Sequence, residues 1–308
     1  MVRIINSITL ANTTYQDKDV LNTVNLANIP WQNNDMSQAF INCINLTSVN
    51  NINENVTNMY CTFSNCPNLS TAPVIPNGVL NMYETFSDCS SLETAPAIPN
   101  NVADMYGAFF QCYNLENAPD MSNATNVTNM SRTFFGCRNL ENAPVIPSSV
   151  IDMSYIFAGA NLSAAPVIPN GVSNISGAFW HCNRIENAPE IPESVINMGS
   201  TFNGCDSLSG DIMINSEIIT FANDCFSGTL DKNVYIPFQN NGVNTATYNA
   251  FVNVAGYPIS GDRVNGVMIK DINYDPLVGY TFTNDANDNY VLTNYTGSDS
   301  DITTPHLD

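Results

Sequence analysis

One pattern recurs through most of this 308-residue chain: M-x3-F-x2-C-x2-L, followed in six copies by the dipeptide Ala-Pro. Eight copies follow one another at steps of 22 to 25 residues, and they begin at Met36, Met59, Met82, Met105, Met130, Met153, Ile175 and Met198. A single unit of this length cannot bury its Phe and Leu, whereas stacked units share a continuous core. The sequence therefore predicts a repeat solenoid.

The residues inside one unit predict its local structure. Met and Phe stand four places apart, which would put them on one face of a short helix or 3₁₀ turn. The stretch around Ala-Pro is expected to be extended, because a residue before proline avoids the α region. Proline also lacks a backbone donor, so we expect short strands with incomplete ladders.

The repeat region divides the chain into three expected segments. Residues 1–34 are expected to form the N-terminal cap that a solenoid needs, and residues 35–255 the solenoid itself, with degenerate repeats around Phe226 and Phe251. From residue 256 the period is lost. Residues 256–308 alternate Tyr, Val, Ile and Thr with polar residues, which predicts a small β-rich C-terminal cap or docking segment.

Seven of the nine cysteines occupy one place in the unit: Cys43, Cys66, Cys89, Cys112, Cys137, Cys182 and Cys205. Neighbouring places would lie about 5 Å apart in a stack, which permits disulfides. Ala160 fills this place in the sixth copy without destroying the repeat, which favours buried, reduced thiols over a disulfide ladder. Metal binding is less favoured still, because the chain has no Cys-x2-Cys pair.

These residues resemble a known family. The F-x2-C-x2-L core followed by an extended I-P-x2-V segment resembles the BspA-like leucine-rich repeats, and the stretch "MSNATNVTNMSRTFFGCRNL" at 121–140 is similar to a variant found in bacterial surface proteins. The resemblance covers residues 36–255. It implies a curved, right-handed solenoid with a parallel sheet on one face, and a Cys that bonds loop backbone inside the turn. Family members are mostly adhesins or surface proteins of bacteria and protists, and similar repeats occur in phage structural proteins.

The chain is strongly acidic, with a formal net charge of −20 and no basic residue between Lys18 and Arg132. Such a surface repels phosphate backbones and anionic lipid, so nucleic-acid and membrane binding by charge are disfavoured. A cationic partner fits better, although an acidic surface can simply aid solubility. The first residues lack a continuous apolar run, so we expect no secretory signal peptide, and no window is long and apolar enough for a membrane span.

Catalytic and metal-binding motifs are missing from the sequence, so we expect no enzyme activity, no cofactor and no metal site. His181 stands in a variable place and is expected to be a solvated loop residue. Asp285, Asn287 and Asn289 have the spacing of a calcium loop. Tyr290 and Thr296 stand where that loop needs Gly and Glu, which favours a plain turn.

Three exposed rows are the candidate binding residues. The Glu row follows the repeated Leu and contains Glu93, Glu116, Glu141 and Glu186, whereas the Tyr row follows the Met and contains Tyr60, Tyr83 and Tyr106. The post-proline row contains Val74, Ala97, Asp120, Val145, Val167 and Glu190. The Glu row is either a solvated stripe or a strip for a basic or cation-bridged partner. The Tyr row is either packing or an aromatic binding strip.

Three classes of function fit this pattern. The favoured one is a non-enzymatic surface component of a phage virion, in a fibre, tail or capsid decoration, that binds a host-surface protein or glycan through the solenoid. Its terminal segment would dock on other virion proteins, and a homo-oligomer is compatible with the role. The alternatives are a bacterial or protist cell-surface adhesin and an intracellular protein-binding scaffold. This order follows from the family resemblance more than from the residues themselves.

Overall fold

A computed structural model describes residues 22–28, 30–240, 243–259, 267–272, 280–284 and 290–295. The chain divides into two compact units, Met1–Ile272 and Asn273–Asp308. The first unit contains the repeats, which are stacked in parallel register. Places within each repeat are counted here from the Met or Ile that begins it, so that Met82 is at place 1 and Phe86 at place 5.

Backbone hydrogen bonds between neighbouring repeats run along places 0 to 8, a segment that we call the turn side. The N–H groups at places 1, 3, 5 and 7 donate to carbonyls of the following repeat, as Met82 does to Asp104 (2.9 Å) and Phe86 to Ala108 (2.9 Å). Two tight turns close the segment within each repeat, because the N–H groups at places 4 and 8 donate to the carbonyls at places 1 and 5.

The expected helix or 3₁₀ turn between Met and Phe is wrong. Residues at places 3 and 7 have positive φ in the eight repeats and in the degenerate repeat around Phe226, whose first place is Ala222, and a right-handed helix needs negative φ throughout. The turns bring Met and Phe to the same side by a different route. These residues are Gln38, Asn42, Cys61, Asn65, Glu84, Asp88, Gly107, Gln111, Arg132, Gly136, Tyr155, Gly159, Gly177, His181, Ser200, Gly204, Asp224 and Gly228.

Regular strands form where the Ala-Pro dipeptide is missing. In the first unit's N-terminal part, β1 (Thr23–Leu26) pairs in parallel with β2 (Ser48–Ile52). In the repeats with Ala-Pro the same side shows single parallel bridges, such as Thr71 to Thr94. Because proline has no N–H, a continuous ladder cannot form there. The segment I-P-x2-V, expected to be extended, instead closes a turn in which the Val102 N–H donates to the Pro99 carbonyl (3.3 Å).

Strands return after the last repeat that contains Ala-Pro, which is the one that begins at Ile175. A three-stranded parallel sheet has the order β3 (Ile212–Met213), β4 (Lys232–Ile236) and β7 (Val267–Asp271). Between β4 and β7 lie the antiparallel pair β5 (Gln239–Asn240) and β6 (Val243–Asn244), the one-turn helix α1 (Ala246–Tyr248) and a π-helix (Asn249–Val254). The remaining helical segment among the described residues is a 3₁₀ turn at Gln32–Asn34.

The repeated Phe side chains form the centre of the core. The fully buried rings stack on their neighbours at centroid distances of 5.5 to 6.1 Å, and they are Phe40, Phe63, Phe86, Phe109, Phe134, Phe157, Phe179, Phe202, Phe226 and Phe251. Trp31 meets Phe40 edge-on at one end of this row, and Tyr257 meets Phe226 edge-on near the other. The degenerate repeats around Phe226 and Phe251 thus continue the same stack.

The second unit contains an antiparallel pair, β8 (Tyr280–Asn284) and β9 (Tyr290–Tyr295). The expected boundaries at 34/35 and 255/256 stay predictions. In the structure the first unit continues through β7, which pairs with β4, and ends at Ile272.

Candidate binding surface

Every repeated cysteine is buried as a free thiol, and the thiols hold neighbouring repeats together. Cys89 Sγ donates to the Phe63 carbonyl of the preceding repeat (3.2 Å), and Cys137 Sγ donates to that of Phe109 (3.2 Å). Burial raises the pKa of the Cys89 thiol to about 12. These thiols therefore act as neutral donors to the backbone, and the described part of the chain contains no disulfide.

A second buried donor at place 4 was not predicted from the sequence. Thr85 Oγ1 donates to the Met59 carbonyl of the preceding repeat (2.9 Å), and Thr62, Thr133 and Thr201 make the equivalent bond. Cys225, which lies outside the common cysteine place, occupies this one and donates to the Met198 carbonyl (3.2 Å).

Asn or Asp precedes the first place of each of the eight repeats, a row that was also missed. Each side chain accepts the N–H two residues later, as Asn81 Oδ1 does from Tyr83 (2.8 Å). The row is Asp35, Asn58, Asn81, Asp104, Asn129, Asp152, Asn174 and Asn197. The conserved spacing to Met was visible in the sequence, and Asn and Asp are the residues that make such turns.

The side chains of the Glu row are exposed to solvent. Glu116 N–H donates to the Glu93 carbonyl (3.0 Å), so these two carboxylates belong to one ladder. Farther along, Arg184 Nη1 forms an ion pair with Glu141 Oε1 (2.7 Å) and reaches across the repeat that has Ser163 at this place. The row is therefore partly neutralised at Glu141, whereas Glu93 and Glu116 have no ion pair in the described residues.

The Tyr row lies on the turn side and is half-buried. The rings of Tyr60 and Tyr83 stack at 5.1 Å and those of Tyr83 and Tyr106 at 4.6 Å. Burial raises the pKa of the Tyr83 hydroxyl to about 12. Because the ring faces cover one another, the row presents mainly ring edges and hydroxyls to a partner. Its role stays a prediction.

A second aromatic cluster on the turn side was not singled out in the sequence. Phe110 and Phe135, both at place 6, stack at 5.0 Å, and Trp180 leans against Phe135 at 6.4 Å. Trp180 also meets the exposed His181 edge-on. The signal was present as aromatic residues recurring at one place of the unit.

The post-proline row contains the most exposed large apolar side chains of the described chain. Val74, Val145 and Val167 are 83%, 85% and 84% exposed, respectively. Asp120 and Glu190 stand at the same place in their repeats and are exposed as well. Backbone bonds hold two members of this place, since Ile98 N–H donates to the Asp120 carbonyl (3.0 Å) and Ile191 N–H to the Met213 carbonyl (3.3 Å). Met213 is thus a further member of the row.

Three open grooves lie along the post-proline row. The first, of about 850 Å³, is lined by Val74 and Glu54, and the second, of about 400 Å³, by Val145 and Asp120. The third, of about 880 Å³, is lined by Val167, Glu190 and Glu193. Each groove therefore combines a highly exposed valine with at least one carboxylate.

Within the described residues, no group of three or more His, Cys, Asp or Glu side chains could hold a metal ion. The sequence with calcium-loop spacing, Asp285 to Asn289, lies outside the described residues. Among the helices that the structure describes, none is long and apolar enough to cross a membrane. The described surface consists of rows and grooves suited to binding.

Comparisons with known proteins identify the repeats. A family model described as "BspA type Leucine rich repeat region" matches six copies within residues 21–141 and 128–255. A leucine-rich repeat protein from Bacteroides ovatus ATCC 8483 is similar in structure, with 19% identity, a TM-score of 0.49, and coverage of 70% of this chain and 67% of that one.

A leucine-rich repeat protein from T. pallidum shares 17% identity, with a TM-score of 0.27 and coverage of 77% of this chain and 84% of that one. No curated protein sequence matches this chain. The family model covers well over half of the 308 residues, and it rests on the repeats whose stacking is described above. The chain therefore belongs to the BspA-type leucine-rich repeat family.

Proposed function

We propose that this protein is a non-catalytic binding protein that presents the post-proline row to a partner. The observation that carries the proposal is the exposure of Val74, Val145 and Val167, each above 80%, at the same place of three stacked repeats. Exposed apolar side chains that recur at one place of a solenoid contribute nothing to the core and are typical of interaction surfaces.

Purified, labelled protein should bind intact cells of its native environment saturably, and the binding should be measured by flow cytometry. A variant with Val74→Ser, Val145→Ser and Val167→Ser should lose most of this binding and keep its melting temperature, because these side chains make few core contacts. A matched control is Leu80→Ser with Ile151→Ser, which replaces exposed apolar residues at a different place of the unit (53% and 51% exposed). Equal binding by the wild type and the Val variant would refute the proposal.

The finer form of the proposal places the protein on a phage virion, as a fibre, tail or capsid decoration that meets a host-surface protein or glycan. Its support is the family resemblance of the repeats, which also occur in phage structural proteins. A bacterial or protist cell-surface adhesin is the alternative location. Immunogold electron microscopy of the native assembly separates them: label on particles supports the virion role, and label on cell envelopes or only free protein contradicts it.

A further inference from the structure

The three grooves of the post-proline row are lined by the same two kinds of side chain. Each sets one exposed valine beside a carboxylate: Val74 with Glu54, Val145 with Asp120, and Val167 with Glu190. None of the described residues that line the grooves is Lys or Arg. A partner that fills them must bring apolar groups for the valines and positive charge for the carboxylates, because an unpaired carboxylate loses its water at such a contact.

Hydrogen bonds from neighbouring residues orient two of these carboxylates, Asp120 and Glu190. Ser122 N–H donates to Asp120 Oδ1 (2.9 Å), which lowers the pKa of that carboxyl and favours its charged form. Asn215 Nδ2 donates to Glu190 Oε1, so Oε2 of Glu190 remains available. Both side chains are exposed at the rim of their grooves and are positioned by neighbouring polar groups.

The grooves follow the axis of the stack. Asp120 and Glu190 stand three repeats apart, and the intervening Phe rings are spaced by 5.6 to 6.1 Å. Measured along the row of Phe rings, the repeats of Asp120 and Glu190 are therefore about 17 Å apart, a span that an extended polypeptide at about 3.3 Å per residue crosses in about five residues. A second copy of this chain is a poor occupant, because the row would place its acids against the acids or valines of an equally acidic molecule.

We propose that the post-proline row binds an extended, basic protein segment that lies along the stack, with apolar side chains on Val74, Val145 and Val167 and Lys or Arg at the carboxylates. This inference rests on the proposed function and names the chemistry of the partner. The overall charge of −20 adds attraction at long range, and the grooves add the local fit that charge alone lacks.

A suitable probe is a synthetic peptide of Lys-Ser-Val-Ser repeats, long enough to reach all three grooves. Alternate residues of an extended chain face the same way, so Lys and Val share one face. Fluorescence anisotropy with the full-length protein should show binding of this peptide, and the variant Asp120→Asn with Glu190→Gln should weaken it about tenfold, because two ion pairs at the grooves are lost. The same peptide with Glu in place of Lys should not bind.

The matched control is Glu93→Gln with Glu116→Gln, which removes the same charge from the Glu row outside the three grooves. An equal loss of affinity in this control would overturn the inference, since it would leave only the overall charge. Equally tight binding of a Lys-Ser-Ser-Ser peptide, or of a polyamine, would overturn it as well. If the valine variant loses cell binding and the Asp120→Asn, Glu190→Gln variant keeps it, the proposed function stands and this inference falls.

Discussion

The middle of the stack and its two ends differ in the backbone pairing that joins neighbouring repeats. At the ends, where Ala-Pro is missing, β1 pairs with β2 and β4 pairs with β3 and β7 in parallel strands. In the middle, the corresponding side has only single bridges. The turn side keeps its four N–H bonds at each of the eight junctions between Met36 and Gly228, in the middle and near the ends alike, together with its row of Phe rings.

The difference shows which side holds the repeats together. If the middle repeats stack in register without a strand ladder, the turn side must supply most of the attachment between them. The side of the repeat that contains Ala-Pro, here called the proline side, is then free to vary on its outer surface. The exposed valines and carboxylates of the post-proline row lie on this side. Substitutions on the two sides should therefore differ in their cost to stability.

Replacing a central Phe should cause the greatest loss of stability. Phe109→Ala removes a fully buried ring that stacks on both neighbours, at 5.6 and 5.7 Å, and should lower the free energy of unfolding by about 3–5 kcal/mol. Urea unfolding followed by circular dichroism measures the change. Val145→Ala, at an exposed place on the proline side, should change stability by less than about 0.5 kcal/mol. Comparable losses in the two variants would remove the distinction between the sides.

Gly177→Ala should weaken the turn side by about 2–3 kcal/mol. Gly177 has a φ of 60°, and an added Cβ would lie 2.3 Å from the Tyr155 ring, so both backbone strain and a clash oppose the change. Gly256→Ala is the matched control, because Gly256 has a φ of 74° with nothing within 4 Å of the added atom. Gly256→Ala should lower the free energy of unfolding only by the backbone strain, about 1–2 kcal/mol. Thermal unfolding of the two variants separates the backbone strain from the clash with the Tyr155 ring. Equal decreases in melting temperature would mean that the Tyr155 ring moves aside at no cost.

Stability should fall in alkaline solution because of the buried thiols. The pKa of Cys89 is raised by burial from about 9 to about 12, so the folded state holds this proton more tightly than the unfolded state. Its contribution is complete below pH 9 and is lost as the pH rises toward 12, at about 1.4 kcal/mol per pH unit. Urea unfolding between pH 8 and 11 should therefore give a shallower pH slope for Cys89→Ala than for the wild type. Parallel slopes would show that the thiol does not stay protonated in the stack.

Pro96→Val should have the smallest effect. The change restores a backbone donor on the proline side but also gives the unfolded chain more freedom, so the two effects oppose each other and the net change should be within about 1 kcal/mol. Hydrogen exchange should show whether the new N–H joins a ladder with the neighbouring repeats. A loss of more than about 2 kcal/mol would show that the prolines themselves stabilise the middle of the stack.

The apolar part of this fold could be predicted from the sequence because it is periodic. Phe86, Leu92 and Ile98 recur at fixed places and fill the core, and Cys89 recurs with them as a buried thiol. The prediction failed on the backbone between Met and Phe, because a spacing of four is also the spacing of a helical turn. Glycine in four repeats, such as Gly136 and Gly159, and Asn or Asp in three others marked place 7 as one that tolerates positive φ, although Gln111 and His181 also occupy it.

The candidate surface was harder to derive, because a row of outward residues carries no periodic constraint of its own. The exposure of Val74 and Val145 follows from their place directly after Pro in the unit, which the sequence indicated. The grooves do not follow, because they depend on how turns such as Pro147 to Val150 fold against the preceding repeat. Glu54 and Glu193 entered the surface for that reason, from outside every row identified in the sequence.

The N–H groups at places 1, 3, 5 and 7 donate to the following repeat at each of the eight junctions between Met36 and Gly228, so these junctions present the same donors and meet the same acceptors. A repeat could be duplicated or deleted in frame, and both of its neighbours would still find matching partners. Repeats of 22 and of 25 residues already stack in the same rows. Selection could therefore lengthen or shorten the partner-facing surface one repeat at a time, without refolding the remainder of the protein.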